Sequence, residues 1–156
     1  MTKLLTSVDD YNGAIEVLLE KRPKSVSIAT YCIGNIRALA PFDGISTRVL
    51  VGVPRNIKRE HAISYDELPG FFPKMSFKFS RFSHAKCLIF QYTGLAAIAI
   101  MGGRNLSASA SHDVSIMVGQ PISGYLLNAY NLWWDDLLTF GSAKNCWRDR
   151  LGKDVK

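Results

Sequence analysis

Apolar residues recur along this chain with two different periods, and the switches between them mark out its elements. Tyr11, Ile15, Leu18 and Leu19 repeat at helical spacing behind Ser7 or Asp9, either of which can cap the first turn, and Pro23 closes the pattern. This predicts an opening helix. Residues 25–31 alternate and then run apolar through Val26, Ile28 and Ala29, which predicts a short buried strand. Residues 34–39 start a second helix near that strand's end, and Pro41 breaks it. Another buried strand runs over residues 47–53 and stops at Pro54. Residues 55–72 mix charge, proline and glycine and predict a helix or loop excursion.

Over residues 75–82 aromatic positions alternate with basic or polar ones. Phe77, Phe79 and Phe82 predict the core face of a half-exposed strand, with Lys78 and Arg81 on its outer face. Residues 86–92 and 95–101 predict a hairpin turning at Thr93-Gly94, and residues 114–118 a further strand. Residues 125–140 form an amphipathic helix carrying Leu126, Leu127, Tyr130, Trp133, Trp134 and Leu137. The tail after Gly141 is polar and basic, and no repeat, low-complexity tract or linker interrupts the chain. The pattern predicts one α/β domain over residues 1–156, a mixed β-sheet flanked by helices on both faces.

A length of 156 residues gives such a domain room for a real core, and a hydrophobic share of 47% with 21% charged residues is that of a globular protein. The formal net charge of +6 favours acidic partners. Its distribution sharpens that reading. No acidic residue lies between Glu67 and Asp113, while Lys74, Lys78, Arg81, Lys86 and Arg104 all do, so the positive field is concentrated where a polyanion would be held. Cys32, Cys87 and Cys146 lack metal-like or CxxC spacing, and Cys32 and Cys87 sit in apolar runs as small core residues in a reducing compartment. Residues 1–13 lack the pattern of a signal peptide, and the longest apolar run, residues 95–101, is too short to span a bilayer. The expected location is cytoplasmic, with no membrane partner.

The candidate chemistry begins at His84-Ala85-Lys86. On a strand, residues two apart share a face, so the imidazole and the ammonium point to one surface. The chain then returns through its apolar hairpin to Gly102-Gly103-Arg104-Asn105-Leu106-Ser107, with Asp113 following before an apolar strand. A nucleophile or proton carrier, a fixed positive charge and small hydrogen-bond donors are the parts a phosphodiester needs. In this order the residues resemble the phospholipase D superfamily, nearest to its small single-motif nucleases and related restriction-endonuclease domains. The resemblance covers essentially the whole chain and implies that family's α-β-α sandwich.

Carried over position by position, the resemblance implies that His84 is the nucleophile that forms a phosphohistidine, or the acid that protonates the leaving oxygen. It implies that Lys86 and Asn105 hold the non-bridging phosphate oxygens, and that Asp113 orients the His84 ring. The chemistry of this family needs two histidines, and neither His61 nor His112 is followed by a lysine two residues on. The second histidine is therefore expected from another copy of the chain, in a two-fold homodimer. The resemblance implies no metal and no cofactor, and no cluster of His, Cys and carboxylates with ligand spacing stands in the sequence. Three positions depart from the family pattern. Gln91 stands where an aspartate is usual, Gly103 replaces a serine whose hydroxyl Ser107 or Ser109 would have to supply, and Asp113 replaces the commoner glutamate.

Arg104, Ser107, Ser109, Arg81 and Lys78 complete the expected substrate-binding set, with Lys78 and Arg81 as contacts to a nucleic-acid backbone. Each assignment has a plainer counterpart. His84 and Lys86 are otherwise solvated strand residues, Asn105 a turn residue, Asp113 a cap or partner of Arg104, and residues 107–111 a small-residue helix packed on the sheet. Trp133 and Trp134 either stack bases or pack in a core or dimer interface. The expected activity is a metal-independent endonuclease or phosphodiesterase acting on nucleic acid. Its alternatives are a catalytically weak nucleic-acid-binding module and, further off, a phospholipid headgroup hydrolase.

Overall fold

The opening residues differ from the sequence expectation, because a strand precedes the first helix. In a computed structural model that describes residues 1–53, 59–81, 83–103, 106 and 113–147, β1 (Thr2–Leu5) lies antiparallel to a strand more than a hundred residues later, Ser115–Val118. Four residues with only Leu5 buried leave too little apolar signal to be read as a strand. The first helix, α1 (Val8–Glu20), starts where the cap chemistry predicts: the Ser7 side chain accepts the Asp10 backbone N–H at 3.0 Å. Asp9 and Asp10 fall in its first turn, where they complement the helix dipole.

β2 (Ser25–Thr30) is buried along all but its first residue, and a 3₁₀ helix (Ile36–Phe42) follows it in place of the α-helix expected there. Pro41 lies inside that 3₁₀ helix, and its missing N–H is one reason an α-helical ladder does not extend. Next come β3 (Ser46–Gly52), α2 (Arg59–Phe71) and β4 (Met75–Ser80). The hairpin is β5 (Cys87–Gln91) and β6 (Ile98–Gly102), with Phe90 opposite Ile98. Residues 95–97 thus belong to the turn rather than to the strand, and Leu95 is exposed. β7 (Ser115–Val118) precedes α3 (Ile122–Trp134), β8 (Thr139–Phe140) and a second 3₁₀ helix (Ala143–Trp147).

The strands form one sheet in the order β1-β7-β6-β5-β2-β3-β4-β8, with β2, β3 and β4 parallel and the other pairings antiparallel. Alternation along the strands sends side chains into two layers. Val26, Ile28, Val49, Val51, Phe77 and Phe79 join Tyr11, Ile15 and Leu18 of α1 and Tyr65 and Leu68 of α2. Ala29, Leu50, Cys87 and Ile89 face the other way and pack against Tyr130 and Trp133 of α3. The sheet is therefore covered on both faces, as expected.

Two expectations change with that double cover. β4 has no open basic face: the Lys78 ammonium donates to the Trp134 carbonyl at 2.8 Å and lies 4.9 Å from that residue's ring. The positive charge of Arg81 instead reaches the buried Cys146 thiol in the second 3₁₀ helix. α3 stops at Trp134, short of the predicted residue 140, and Leu137 is 92% exposed rather than part of an apolar stripe. The reason is local. The Asp135 N–H closes back on Asn131, and the Asp136 carboxylate accepts the Leu138 N–H at 2.7 Å, turning the chain into β8. Two carboxylates sit poorly at a negative helix end, and the Lys78 ammonium offsets them there.

Candidate active site

Strand direction decides which ends of the sheet meet. β5 runs antiparallel to β2, so the residues before Cys87 arrive at the carboxyl ends of the parallel strands, and β6 ends on the same side. Ligands of open α/β sheets bind at that edge. His84 and Lys86 lie in the extended segment ahead of β5 rather than on the strand itself, which begins at Cys87. The ladder still reaches them, because the Lys86 carbonyl accepts the Gly102 N–H at 3.2 Å. Gly102 pairs in turn with Ser115, and the Gly103 N–H donates to Val114 at 3.2 Å. Lys86, the glycine pair and the chain leading to β7 therefore form consecutive rows of one edge.

Two glycines make this packing possible. Gly102 has φ +149°, and a Cβ there would stand 2.5 Å from the Val114 carbonyl. A Cβ on Gly52, at the end of β3, would stand 2.6 Å from the Tyr31 carbonyl and 2.7 Å from that of Ser83. Its absence lets the segment carrying His84 close over the ends of β2 and β3. At Gly103 the nearest atoms to such a Cβ belong to Asp113, whose carboxylate oxygen would be 3.5 Å away. Asp113 is thus held at the same edge, against the glycine pair.

Tyr31, one residue past β2, organises the site. The His84 ring stacks on it, with centroids 4.4 Å apart and an interplanar angle of 18°, and the Lys86 ammonium lies 5.6 Å from the same ring. The Lys86 ammonium also donates to the His84 carbonyl at 3.2 Å. The imidazole and the ammonium therefore both meet the Tyr31 ring. His84 is exposed, while Tyr31 and Lys86 are half-buried. Cys32 is half-buried beside them rather than in the core. Burial raises its thiol pKa, and the Lys86 charge partly offsets the rise.

The loop after β2 ties the second motif to this edge. The Leu106 N–H donates to the Thr30 hydroxyl at 3.1 Å, and the Gly34 N–H donates to the Leu106 carbonyl at 3.1 Å. The Thr30 hydroxyl donates to the Cys32 carbonyl at 2.7 Å, and the Tyr65 hydroxyl accepts the Ile33 N–H at 3.2 Å. Asn105, Arg104, Ser107, Ser109 and His112 lie outside the described residues, as do the side chain of His61 and Phe82. Gln91 is at the other end of β5, roughly 20 Å of extended chain from His84. Its side chain accepts the Ser25 hydroxyl at 3.0 Å, so this position holds two strand ends together and does not reach the site.

Beside His84 a cavity of about 300 Å³ opens toward α3, lined among others by Ser83, Ala85, Trp133 and Asp136. Sequence reasoning missed Tyr31, Thr30 and Gly52. The available signal was an aromatic and a hydroxyl residue at the carboxyl end of the first long buried strand. Among the described residues no group of three His, Cys, Asp or Glu side chains is placed to hold a metal ion. No helix among them is long and apolar enough to cross a membrane.

No protein-family model matches the chain, and no curated protein matches it. Solved structures do. NucT from Helicobacter pylori shares 14% identity and a TM-score of 0.60 over 90% of this chain and 98% of its own. TrmBL2, an archaeal chromatin protein described with a novel mode of DNA binding, gives a TM-score of 0.54 at 11% identity, over 86% of this chain and 52% of its own. Polyphosphate kinase from Porphyromonas gingivalis gives 0.55 at 15% identity, over 85% of this chain and 23% of its own. At such identities the likeness is one of fold, and it agrees with the layers and strand order above: the chain has the phospholipase D-like α-β-α fold.

Proposed function

We propose that this protein is a phosphodiesterase of the phospholipase D type that cleaves nucleic acid, with His84 as its nucleophile. The observation that carries the reading is the His84–Tyr31–Lys86 cluster at the carboxyl edge of the sheet, beside the glycine pair and Asp113. Stacking fixes the plane of the imidazole while leaving the side chain exposed to substrate. The ring nitrogen attacks phosphorus, a nitrogen–phosphorus bond forms, and the bond from phosphorus to the leaving oxygen breaks. The departing oxygen takes a proton from the histidine of a second copy. Water then attacks the phosphohistidine, giving up a proton to that second histidine, and releases His84.

Lys86 and Asn105 hold the non-bridging oxygens on which charge builds, the ammonium by its charge and the amide by hydrogen bonding, and Asp113 orients the His84 ring. Arg104, Ser107 and Ser109 bind the polyanion, and the acid-free run from residue 68 to residue 112 supplies its field. The names of the structural neighbours support this choice of substrate and chemistry, since one binds DNA and one is a polyphosphate kinase. Completing the site with a second histidine makes the active species a homodimer that needs no metal.

The deciding experiment incubates wild type and His84→Ala with labelled single- and double-stranded DNA and RNA, with and without EDTA. Wild type is expected to cut in EDTA, and His84→Ala to lose at least about a hundredfold of that rate with an unchanged melting temperature. Cutting by His84→Ala at the wild-type rate, or strict dependence on magnesium, overturns the proposal. Salt-sensitive binding without turnover points instead to a binding module on the same fold.

A further inference from the structure

The two adjacent tryptophans of α3 have different surroundings. Trp134 is occupied: its ring stacks on Tyr130 and receives Arg48 and Lys78. Trp133 packs one part of its surface on the core cluster of Ala29, Leu50 and Cys87, and no ring or cation contact among the described residues engages it. Trp133 also lines the cavity that His84 borders. The other walls include Leu50, Ala85 and Leu138, with Ser80, Ser83, Thr139 and Asp136 as polar residues, and the volume of about 300 Å³ is at the lower end for small-ligand pockets.

We propose that this cavity is a nucleobase subsite, in which Trp133 stacks on the base next to the scissile phosphate and Asp136 accepts a hydrogen bond from its edge. The proposal rests on the nucleic-acid reading above, and three observations choose the occupant. First, because His84 borders the cavity, whatever fills it lies beside the phosphorus that His84 attacks, and in a polynucleotide that neighbour is a sugar and its base. Second, a carboxylate in the wall repels a second phosphate but suits the exocyclic amino group of a base. One of its oxygens is committed to the Leu138 N–H, which fixes the carboxylate while leaving the other oxygen to receive a donor. Third, the cavity offers one indole wall and a slot of aliphatic side chains, which fits a flat ring rather than the several-sided aromatic cage that encloses a quaternary ammonium. Stacking tolerates any base, so preference falls to Asp136, which favours cytosine over thymine through the cytosine amino group.

Binding of deoxycytidine and thymidine 5′-monophosphate, followed by ligand-observed NMR, tests the subsite without cleavage. Trp133→Leu keeps apolar volume against the core and removes the indole, whereas Trp133→Phe keeps an aromatic plane. Affinity for deoxycytidine monophosphate is expected to fall at least about fivefold in Trp133→Leu and to stay within about twofold in Trp133→Phe. Wild type should prefer the cytosine nucleotide by about fivefold, and Asp136→Asn, which retains an oxygen for the Leu138 N–H, should erase that preference. Equal binding by the Leu and Phe variants, or choline phosphate binding as tightly as the cytosine nucleotide, overturns the subsite. Wild type that binds as expected yet cuts no nucleic acid overturns the phosphodiesterase reading and leaves the subsite standing. Cleavage together with mononucleotide binding that Trp133→Leu leaves unchanged does the reverse.

Discussion

Among the described residues, cations lie on aromatic rings in two parts of the molecule, and the two arrangements differ in kind. Under α3, the Arg48 guanidinium lies 5.0 Å from the Tyr130 ring and 5.5 Å from that of Trp134. It also donates to Asn131 at 2.7 Å and to Ser27 at 3.2 Å, while the buried Tyr130 hydroxyl donates to the Arg48 carbonyl at 2.9 Å. Burial pushes the Tyr130 phenol pKa well up, so its proton is retained for that bond. Here the cation ties a helix to two strands. At the sheet edge, Lys86 has a ring beneath it and one hydrogen bond, to a carbonyl two residues away in its own chain. An ammonium has three donors. The first arrangement is a strut because the described residues engage its cation from several elements, and the second suits the proposed site because they leave ammonium donors for a ligand.

Substituting the two cations in parallel is the sharpest way to break this contrast. Lys86→Ala is expected to lower the cleavage rate by about 10²–10³-fold through lost stabilisation of phosphate charge, with unfolding in urea unchanged. Arg48→Ala should do the opposite. It loses charge-assisted hydrogen bonds and two cation–π contacts in a half-buried setting, a cost of about 2–3 kcal/mol in urea unfolding, and the protein that remains folded should cleave at the wild-type rate. A stability loss in Lys86→Ala, or a rate loss in Arg48→Ala, would show the division to be wrong.

The same contrast explains how much of the molecule was legible in its sequence. Helix α1 was readable from Ser7, the helical spacing of its apolar residues and Pro23, because every one of those signals is local. The layers were readable from the runs at Val26 and Val49, since fully apolar strands imply cover on both faces. The fate of Lys78 was not readable. Alternation marks a residue as facing away from Phe77 and Phe79, but whether that side meets water or a helix depends on α3, more than forty residues later in the chain. The end of α3 was missed for a related reason: Leu137 continues the apolar period, while the turn that removes it from the helix is made by hydrogen bonds of Asp135 and Asp136. At the site, the pairing of His84 and Lys86 was legible as a motif. Tyr31, which both of them meet, follows a different strand, and only the antiparallel pairing of β2 with β5 brings it there.

Tyr31 gives a second and smaller test, because it is the ring on which the open arrangement depends. Tyr31→Leu keeps an apolar side chain at the end of β2 but offers no flat face for the imidazole. The His84 ring then samples orientations that do not meet phosphorus, and the rate is expected to fall about tenfold with little change in substrate binding. Tyr130→Leu removes a fully buried ring and its hydroxyl, and should register as lost stability of about 3 kcal/mol or more. An unchanged rate in Tyr31→Leu would mean that the stacking at 4.4 Å does not position the histidine.

The smallest effect reads the Lys86 charge directly through its neighbour Cys32, whether or not a substrate has been identified. Burial raises the thiol pKa of all three cysteines, to about 11 at Cys87 and about 12 at Cys146, and Cys32 is the half-buried one. Alkylation near pH 8 should therefore reach Cys32 first, since the thiolate is the reacting form and access is best there. At Cys32 the Lys86 ammonium opposes the effect of burial. Lys86→Met removes that opposition, so the thiol rises further, less thiolate is present at a given pH, and labelling should slow by about two- to fourfold. Arg48→Met leaves the Cys32 surroundings intact and should leave its rate unchanged. A Cys32 that reacts equally fast in both variants would mean that the Lys86 charge is spent in solvent and not held over the site. In that case, the reason for treating the edge of β5 differently from the strut under α3 would be lost.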